Sequence, residues 1–331
     1  MKTLNFNKVE DLKKYNDFLR RSHYYDFFQT IDWFLFKSVE EKYIFYKEDG
    51  GKIKFGGVIF VLEKAGTKYL YCPRGPVINY NNLSELKEFI GELEIFARKK
   101  GYRYLKLDPK ISTIKREDLE KLFICNINEQ YDTQKDSSCD ALLLLDVDAE
   151  TILKRFKKKT RYNIKLAKEK GVKTDIYIDL NKINLNEFYN LYLETSARHN
   201  FKPYPKEYFE NFINKIDKDK LIFCKASYKN EPLFISINIK YREKIISLYG
   251  ARSNKMSNLK ASYLADYEMI NYAINNNYKY YDFGGIYCKD NQVNHGDYGL
   301  LKYKQGFCTS GFTNYVGEII IDLKNYKRGE K

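Results

Sequence analysis

One order of elements occurs twice in this chain. Residues 56 to 78, "GGVIFVLEKAGTKYLYCPRGPVI", read as β-rich strands around a turn; the amphipathic helical pattern "LSELKEFIGELEIFARKKG" follows, and then the strand "YRYLKLDP". Residues 233 to 254, "LFISINIKYREKIISLYGARSN", again read strand, turn, strand, before the helical "LKASYLADYEMINYAINN" and the strand "YKYYDFGG". Each unit ends on an Asp at a strand terminus, Asp108 in one and Asp282 in the other. A recipe of this kind used twice predicts two similarly folded α/β domains. A length of 331 residues with 44% hydrophobic content is enough for two cores. The boundary is expected within "DTQKDSSCDALLLLDVD" (132 to 148), where a polar stretch gives way to a buried-looking strand. Domain one is placed at residues 1–145 together with 313–331, and domain two at 146–312.

Domain two opens on the segment "RFKKKTRYNIKLAKEKG" (155 to 171), which crowds eight Lys or Arg against a single Glu. Leu153, Phe156, Ile164 and Ala167 recur there at helical spacing, so one helix face is expected to pack while the cations project outward. The formal net charge of +14 favours polyanionic partners: RNA, a diphosphate-bearing substrate or an acidic lipid surface. A basic face that meets only water is the plain alternative. The six Cys contain no C-x-x-C pair and do not cluster with the three His, which points away from a zinc site and from a secreted disulfide framework. A reducing cytoplasm fits that usage. No signal-peptide core opens the sequence and no window approaches the ~20 apolar residues of a membrane span, so any membrane contact is expected to be peripheral.

The segments "DWFLFK" (32 to 37), "CPRGPVIN" (72 to 79), "YLKLDP" (104 to 109), "KKTRYNIKLAKEKGV" (158 to 172), "YGARSN" (249 to 254), "YDFGGI" (281 to 286) and "GLLKYKQGF" with "YVGEIIIDL" (299 to 323) stand in the order found in the FemABX aminoacyltransferases. The chain resembles that family over nearly its whole length. The resemblance implies an α/β (α+β) fold of two tandem GNAT-like acyltransferase domains, each a mixed sheet flanked by helices. It implies transfer of an amino acid (Gly, Ala or Ser) from aminoacyl-tRNA to the side-chain amine of a peptidoglycan precursor stem peptide, which builds interpeptide bridges. The acceptor would be UDP-MurNAc-pentapeptide or lipid II, bound by domain one, with aminoacyl-tRNA on the side of domain two. No long heptad segment lies between Tyr189 and Tyr249, so the chain resembles the compact FemX-like form without a coiled-coil arm. The expectation is a cytoplasmic monomer in peripheral contact with the inner membrane face, using no metal and no redox cofactor.

The candidate residues follow from these segments. Trp33 and Lys37 lie four apart, and the resemblance assigns Lys37 to the precursor's diphosphate, with the indole as anchor. Asp108 precedes Pro109 at a strand end, where turn chemistry is the ordinary reading; at a reacting centre it would orient or deprotonate the incoming amine, because an ammonium is not a nucleophile. Asp282 is expected to brace the Gly284–Gly285 turn. Within "HNFKPYPKEYF" (199 to 209), Tyr208 matches the family, but Tyr204 stands where the family commonly has a phosphate-gripping Arg, leaving Lys202, Lys206 or Arg198 as substitutes. Tyr249 matches a substrate-lining Tyr. Tyr303–Lys304 stands where the family usually reads Phe–Lys, with the Lys near the tRNA's terminal adenosine and the reacting carbonyl; Tyr for Phe is read as a swap that preserves the aromatic platform. Lys157, Lys158, Lys159 and Arg161 are assigned to tRNA phosphates. The rivals are a coenzyme-A-dependent GNAT acyltransferase, whose Q/R-x-x-G-x-G/A loop does not occur here, and a non-catalytic RNA-binding protein.

Overall fold

The structure, a computed structural model, describes residues 1–112, 139–286, 295–311, 313–314 and 318–323. Its strands are, in chain order, β1 (Lys2–Thr3), β2 (Glu41–Asp49), β3 (Lys52–Lys64), β4 (Thr67–Cys72), β5 (Tyr104–Leu107), β6 (Cys139–Leu144), β7 (Lys173–Tyr177), β8 (Leu221–Tyr228), β9 (Glu231–Tyr241), β10 (Lys244–Arg252), β11 (Tyr280–Ile286), β12 (Thr313–Asn314) and β13 (Ile319–Asp322). The chain divides into two compact units, Met1–Ser138 with Asn314–Lys331, and Cys139–Thr313.

In the first unit a six-stranded sheet runs β1-β2-β3-β4-β5-β13. The β3–β4 hairpin is antiparallel, and the helix Leu83–Lys100 then returns the chain so that β5 lies parallel to β4, with Cys72 opposite Leu107. Asn82 accepts from the Ser84 N–H at the head of this helix, and Gly101, at φ 74°, closes its tail. Arg98, Lys99 and Lys100 in the last turn favour the negative end of the helix dipole. Leu86, Phe89, Ile90, Leu93 and Ala97, three and four apart, pack on Ile59, Leu70 and Leu105.

The second unit repeats this in a seven-stranded sheet, β12-β6-β11-β10-β9-β8-β7. β9 and β10 are antiparallel, the helix Ala261–Asn275 crosses over, and β11 pairs parallel to β10 from Lys244–Tyr280 to Ile246–Asp282. Both sheets therefore hold the doubled recipe. Beside the last parallel strand each sheet then carries an antiparallel strand from far away in the sequence: β13 beside β5, and β6 beside β11, with β12 beyond β6 at the edge of the second sheet.

The division falls after Ser138, inside the expected segment, and β6 corrects the finer domain limit at 145/146. Residues 139–144, placed above at the end of domain one, pair with β11 (Leu142 opposite Asp282) and belong to the second unit. The polar part of the boundary segment, 132–138, lies outside the described residues. The single basic helix is corrected as well. It is two helices, Ala149–Arg155 and Lys158–Glu169, separated at Phe156 and Lys157, both of which are extended. The break is held by side chains and by packing. Arg161 donates to the carbonyls of Lys154 (3.2 Å) and Phe156, and the Lys157 N–H donates to the Gly306 carbonyl at 2.9 Å. Phe156 packs edge-on against Phe307. A Cβ at position 306 would lie 2.2 Å from Thr160 Oγ1, so any other residue there would have to displace the Thr160 hydroxyl.

Candidate active site

Asp108 follows β5 and faces the end of β4, because β4 and β5 are parallel and in register. One carboxylate oxygen accepts the Arg74 N–H, the other the Tyr71 hydroxyl at 3.0 Å. Arg74 adopts φ 52°, and its carbonyl accepts from the Tyr24 hydroxyl at 2.6 Å. Burial pushes the Asp108 carboxyl up to about 6, against the opposing pull of the Arg74 charge and N–H and of Tyr71. An acid that changes charge near neutrality suits an amine-handling role. Sequence reading named Asp108 but missed Arg74 and Tyr71; the run "YCPR" directly before the Gly–Pro carried the signal.

In the same unit Lys37 ends the short helix Ile31–Phe36, whose start is capped by Thr30 accepting from the Trp33 N–H. The Lys37 ammonium lies 5.4 Å from the Trp33 ring centroid, and burial lowers its pKa. Trp33 is 6% exposed, yet its Nε1 has no hydrogen-bond partner among the described residues. A partly desolvated ammonium held over an aromatic ring suits a site for an anionic oxygen.

Lys304 lies on the helix His295–Phe307 of the second unit. It is only 8% exposed, and its ammonium donates to the Gly285 carbonyl at 2.9 Å. The Asp282 side chain accepts the Gly284 N–H at 2.8 Å; in place of the expected turn, Gly284 and Gly285 lie within β11 at a register shift against β6 between Asp282 and Gly285, where Gly284 takes φ 75°. Burial lowers the Lys304 pKa, while the carboxylates of Asp282 and Asp140 oppose the fall and favour the charged form.

The Tyr303 hydroxyl is not idle, contrary to the expectation of a simple aromatic swap. It lies 2.5 Å from Asp266 Oδ2 and 2.9 Å from the Ser262 carbonyl, and the Tyr281 hydroxyl donates to Asp266 Oδ1 at 3.1 Å. Burial raises Asp266 to about 6, with the Tyr303 and Tyr281 hydrogen bonds and the Lys304 charge acting the other way. Asp266 was missed by sequence reading. The signal was an acid in the apolar helical run "LADYEMI", a position where an acid is kept only if it is paired.

Other candidates fall into separate settings. The Tyr208 and Tyr249 hydroxyls are 2.8 Å apart, and Tyr204 stacks on Tyr208 with centroids 4.1 Å apart. A bulge between Ser247 and Tyr249 shifts the register of β10 there. Burial raises the pKa of both Tyr208 and Tyr249. Of the proposed Arg substitutes, Arg198 donates to the Arg252 carbonyl (3.3 Å), Asn254 and Thr195, Lys206 pairs with Glu210 at 3.1 Å, and Lys202 is exposed. None of these bonds joins the tyrosines. Lys157, Lys158 and Lys159 are exposed at the head of their helix, while Arg161 is engaged in closing the helix break. Among the described residues, no three His, Cys, Asp or Glu are grouped to hold a metal ion, and no helix is long and apolar enough to cross a membrane.

The model of the FemAB family matches residues 11–133, 124–244 and 225–328, which is most of the chain. The chain belongs to the FemAB family. Among curated relatives in or beside this family, the UDP-N-acetylmuramoylpentapeptide-lysine N(6)-alanyltransferase of Weissella viridescens is 26% identical, with 98% of each chain covered. The aminoacyltransferase FemB of Staphylococcus epidermidis is 24% identical over 79% of this chain and 81% of its own. Among solved structures, FemX superposes with a TM-score of 0.78 at 17% identity, covering 98% of both chains. A tandem GNAT protein from the clavulanic acid biosynthesis pathway superposes at 0.59 and 9% identity, covering 97% of both. The FemAB fold of this chain is thus a pair of GNAT-like units.

Proposed function

We propose that the protein transfers an amino acid from aminoacyl-tRNA to the side-chain amine of a peptidoglycan precursor stem peptide. The observation that carries this reading is Lys304: in a FemAB-family chain, a buried ammonium is held beside the glycine pair of β11 by one hydrogen bond among the described residues, with carboxylates nearby that favour its charge. An ammonium has three donors, and among the described residues one of them is used, which leaves donors for an oxygen that becomes negative. Attack on an ester needs a neutral amine, a stabilised tetrahedral oxyanion and a protonated leaving hydroxyl. Lys304 is assigned to the oxyanion or the leaving oxygen. Asp108 is assigned to the acceptor amine, which it orients and relieves of a proton when ionised. Lys37, anchored over the Trp33 ring, is assigned to the precursor's diphosphate, and Tyr208 and Tyr249 to its lining. Lys157, Lys158 and Lys159 are assigned to tRNA phosphates. The relative whose name specifies a nucleotide-linked pentapeptide and its lysine N6 supports an acceptor of that kind. The protein is read as a monomer on the cytoplasmic side, in peripheral contact with the membrane when the acceptor is lipid-linked.

The test incubates purified protein with pools of charged tRNA and either UDP-MurNAc-pentapeptide or lipid II, and weighs the muropeptide by mass spectrometry. One added Gly, Ala or Ser on the stem peptide is expected. A muropeptide of unchanged mass with every pool and both acceptors would remove the reading.

A further inference from the structure

One buried acid has no part in the chemistry assigned above. Asp266 lies on the helix Ala261–Asn275 at 3% exposure, and a hydroxyl meets each of its oxygens. Tyr281 of β11 donates to Oδ1 at 3.1 Å, and the hydroxyl of Tyr303, on the helix His295–Phe307, lies 2.5 Å from Oδ2. That hydroxyl has one proton and a second acceptor in reach, the Ser262 carbonyl at 2.9 Å. The shorter distance is that of a hydroxyl on a carboxylate, so the proton points at Asp266. The same strand and the same helix meet a second time. Further along β11 the Gly285 carbonyl accepts the Lys304 ammonium at 2.9 Å, and Lys304 is the residue after Tyr303. The contacts close a ring from Asp266 through Tyr303 and Lys304 to Gly285, and back along the strand through Tyr281. Inside it Phe283 packs on Phe307 with centroids 5.1 Å apart.

Apolar packing of that kind holds a helix on a strand but tolerates small slides, whereas a satisfied network of directional bonds fixes one arrangement. Stability alone is a weak reason to bury the acid, since apolar residues of similar volume commonly serve a core as well as a buried charge does. We propose that Asp266 is a positioning residue for Lys304: through Tyr303 and Tyr281 it seats the helix His295–Phe307 on β11, so that the ammonium stays on the Gly285 carbonyl with donors left for the reacting oxygen. This role rests on the transfer reading above, in which Lys304 meets that oxygen. The Asp266 charge acts on the same ammonium. Burial lowers the Lys304 pKa, and Asp282 of β11, Asp140 of β6, Cys308 just beyond its own helix and Asp266 oppose the fall, in that order. Cys224 of β8 also adjoins Asp266. Its Sγ donates to the Ala265 carbonyl at 3.6 Å, and burial, then the Asp266 charge, push its pKa up, so it stays a neutral thiol.

The test uses Asp266→Asn and Tyr303→Phe. Asn removes the charge and keeps the ring closed: its oxygen accepts from Tyr281, its amide donates to the Tyr303 oxygen, and the Tyr303 proton turns to the Ser262 carbonyl. Phe keeps the charge and opens the ring. Single-turnover transfer from aminoacyl-tRNA is followed against pH, with spontaneous ester hydrolysis subtracted and Lys304→Met marking the limb that belongs to the ammonium. In wild type the rate falls on the alkaline side as Lys304 loses its proton. With the carboxylate gone the ammonium is less favoured, so the limb in Asp266→Asn should move to lower pH by about half a unit or more. Tyr303→Phe should keep the wild-type limb and, in steady state, lose about threefold or more in kcat at unchanged acceptor KM, as a misplaced ammonium does. A residue that only stabilised the fold would lower the urea midpoint and move neither reading. If Asp266→Asn fails to fold, the kcat and KM of Tyr303→Phe decide. An unmoved limb in Asp266→Asn, or Tyr303→Phe transferring at the wild-type rate, would overturn the proposal and leave the transfer reading in place. A wild type that transfers nothing to either acceptor takes both down.

Discussion

At Lys304 the structure separates two jobs that a lysine can have. A lysine on a helix face stabilises little, whereas one at 8% exposure has lost much of its hydration and is costly unless its charge is used. Lys304→Met keeps the apolar stem and deletes the ammonium. Single-turnover transfer at saturating acceptor should fall by about a hundredfold or more, the scale of losing one oxyanion donor, while acceptor affinity holds. The neighbouring hydroxyl carries stability. Tyr303→Phe leaves a buried Asp266 oxygen without its 2.5 Å partner, at a cost of about 1–3 kcal/mol, to be read as a lowered urea midpoint. An unchanged midpoint would show that the hydroxyl bond adds nothing. Asp108 predicts a pH dependence. With its carboxyl raised to about 6, the ionised form that handles an amine accumulates as pH rises through that value, so the rate should climb across pH 5 to 7. Stability runs the other way: the raised pKa favours folding below the unfolded value near 4, and that contribution is lost as pH passes 6. Asp108→Asn should abolish the acid limb of the rate profile. The residues legible in the sequence were those that stand in recognisable strings, such as Asp108 in "YLKLDP" and Lys304 in "GLLKYKQGF". Their partners Arg74, Tyr71 and Asp266 were not, because strand register and helix packing bring them together from distant positions.

At the scale of elements, the basic segment shows why periodicity is an incomplete guide. Phe156, Ile164 and Ala167 are all buried, as helical spacing foresaw, yet the chain leaves the helix at Phe156 and Lys157. Spacing reports which side chains face the core and does not register a local break closed by Arg161 and by the Gly306 carbonyl. The break matters for testing RNA binding, since replacing Arg161 would disturb the helix pair as well as the surface charge. The informative variant is Lys157→Gln/Lys158→Gln/Lys159→Gln. It should leave the melting temperature unchanged and reduce the slope of log affinity against log salt for tRNA by about 0.7 to 0.9 for each phosphate no longer neutralised. A slope equal to that of wild type would mean that these lysines face only water.

At the scale of the whole molecule, the doubled recipe was legible because each copy is local: hairpin, crossover helix and parallel strand follow one another without interruption. What was not legible is the strand that pairs antiparallel beside the last parallel strand of each sheet. β6 and β13 carry no turn or helix signal that ties them to β11 and β5, and the second of these pairs closes across more than two hundred residues, as Arg103 donating to Asp322 at 2.7 Å shows within the first unit. Pairing over that distance is set by tertiary packing, so the boundary moved while the recipe held. The functional account stands on the same two levels, a family shared across the chain and a buried lysine placed by its fold. Its most direct test is the fate of the amino acid itself. Preformed tRNA carrying a radiolabelled amino acid is mixed with excess protein and acceptor, without coenzyme A, and the label is followed over one turnover. The account predicts that label leaves the RNA and appears on the muropeptide amine, and that ribonuclease added before the protein prevents it. Label that remains on the RNA, or transfer that needs acetyl-coenzyme A and ignores the RNA, would contradict it.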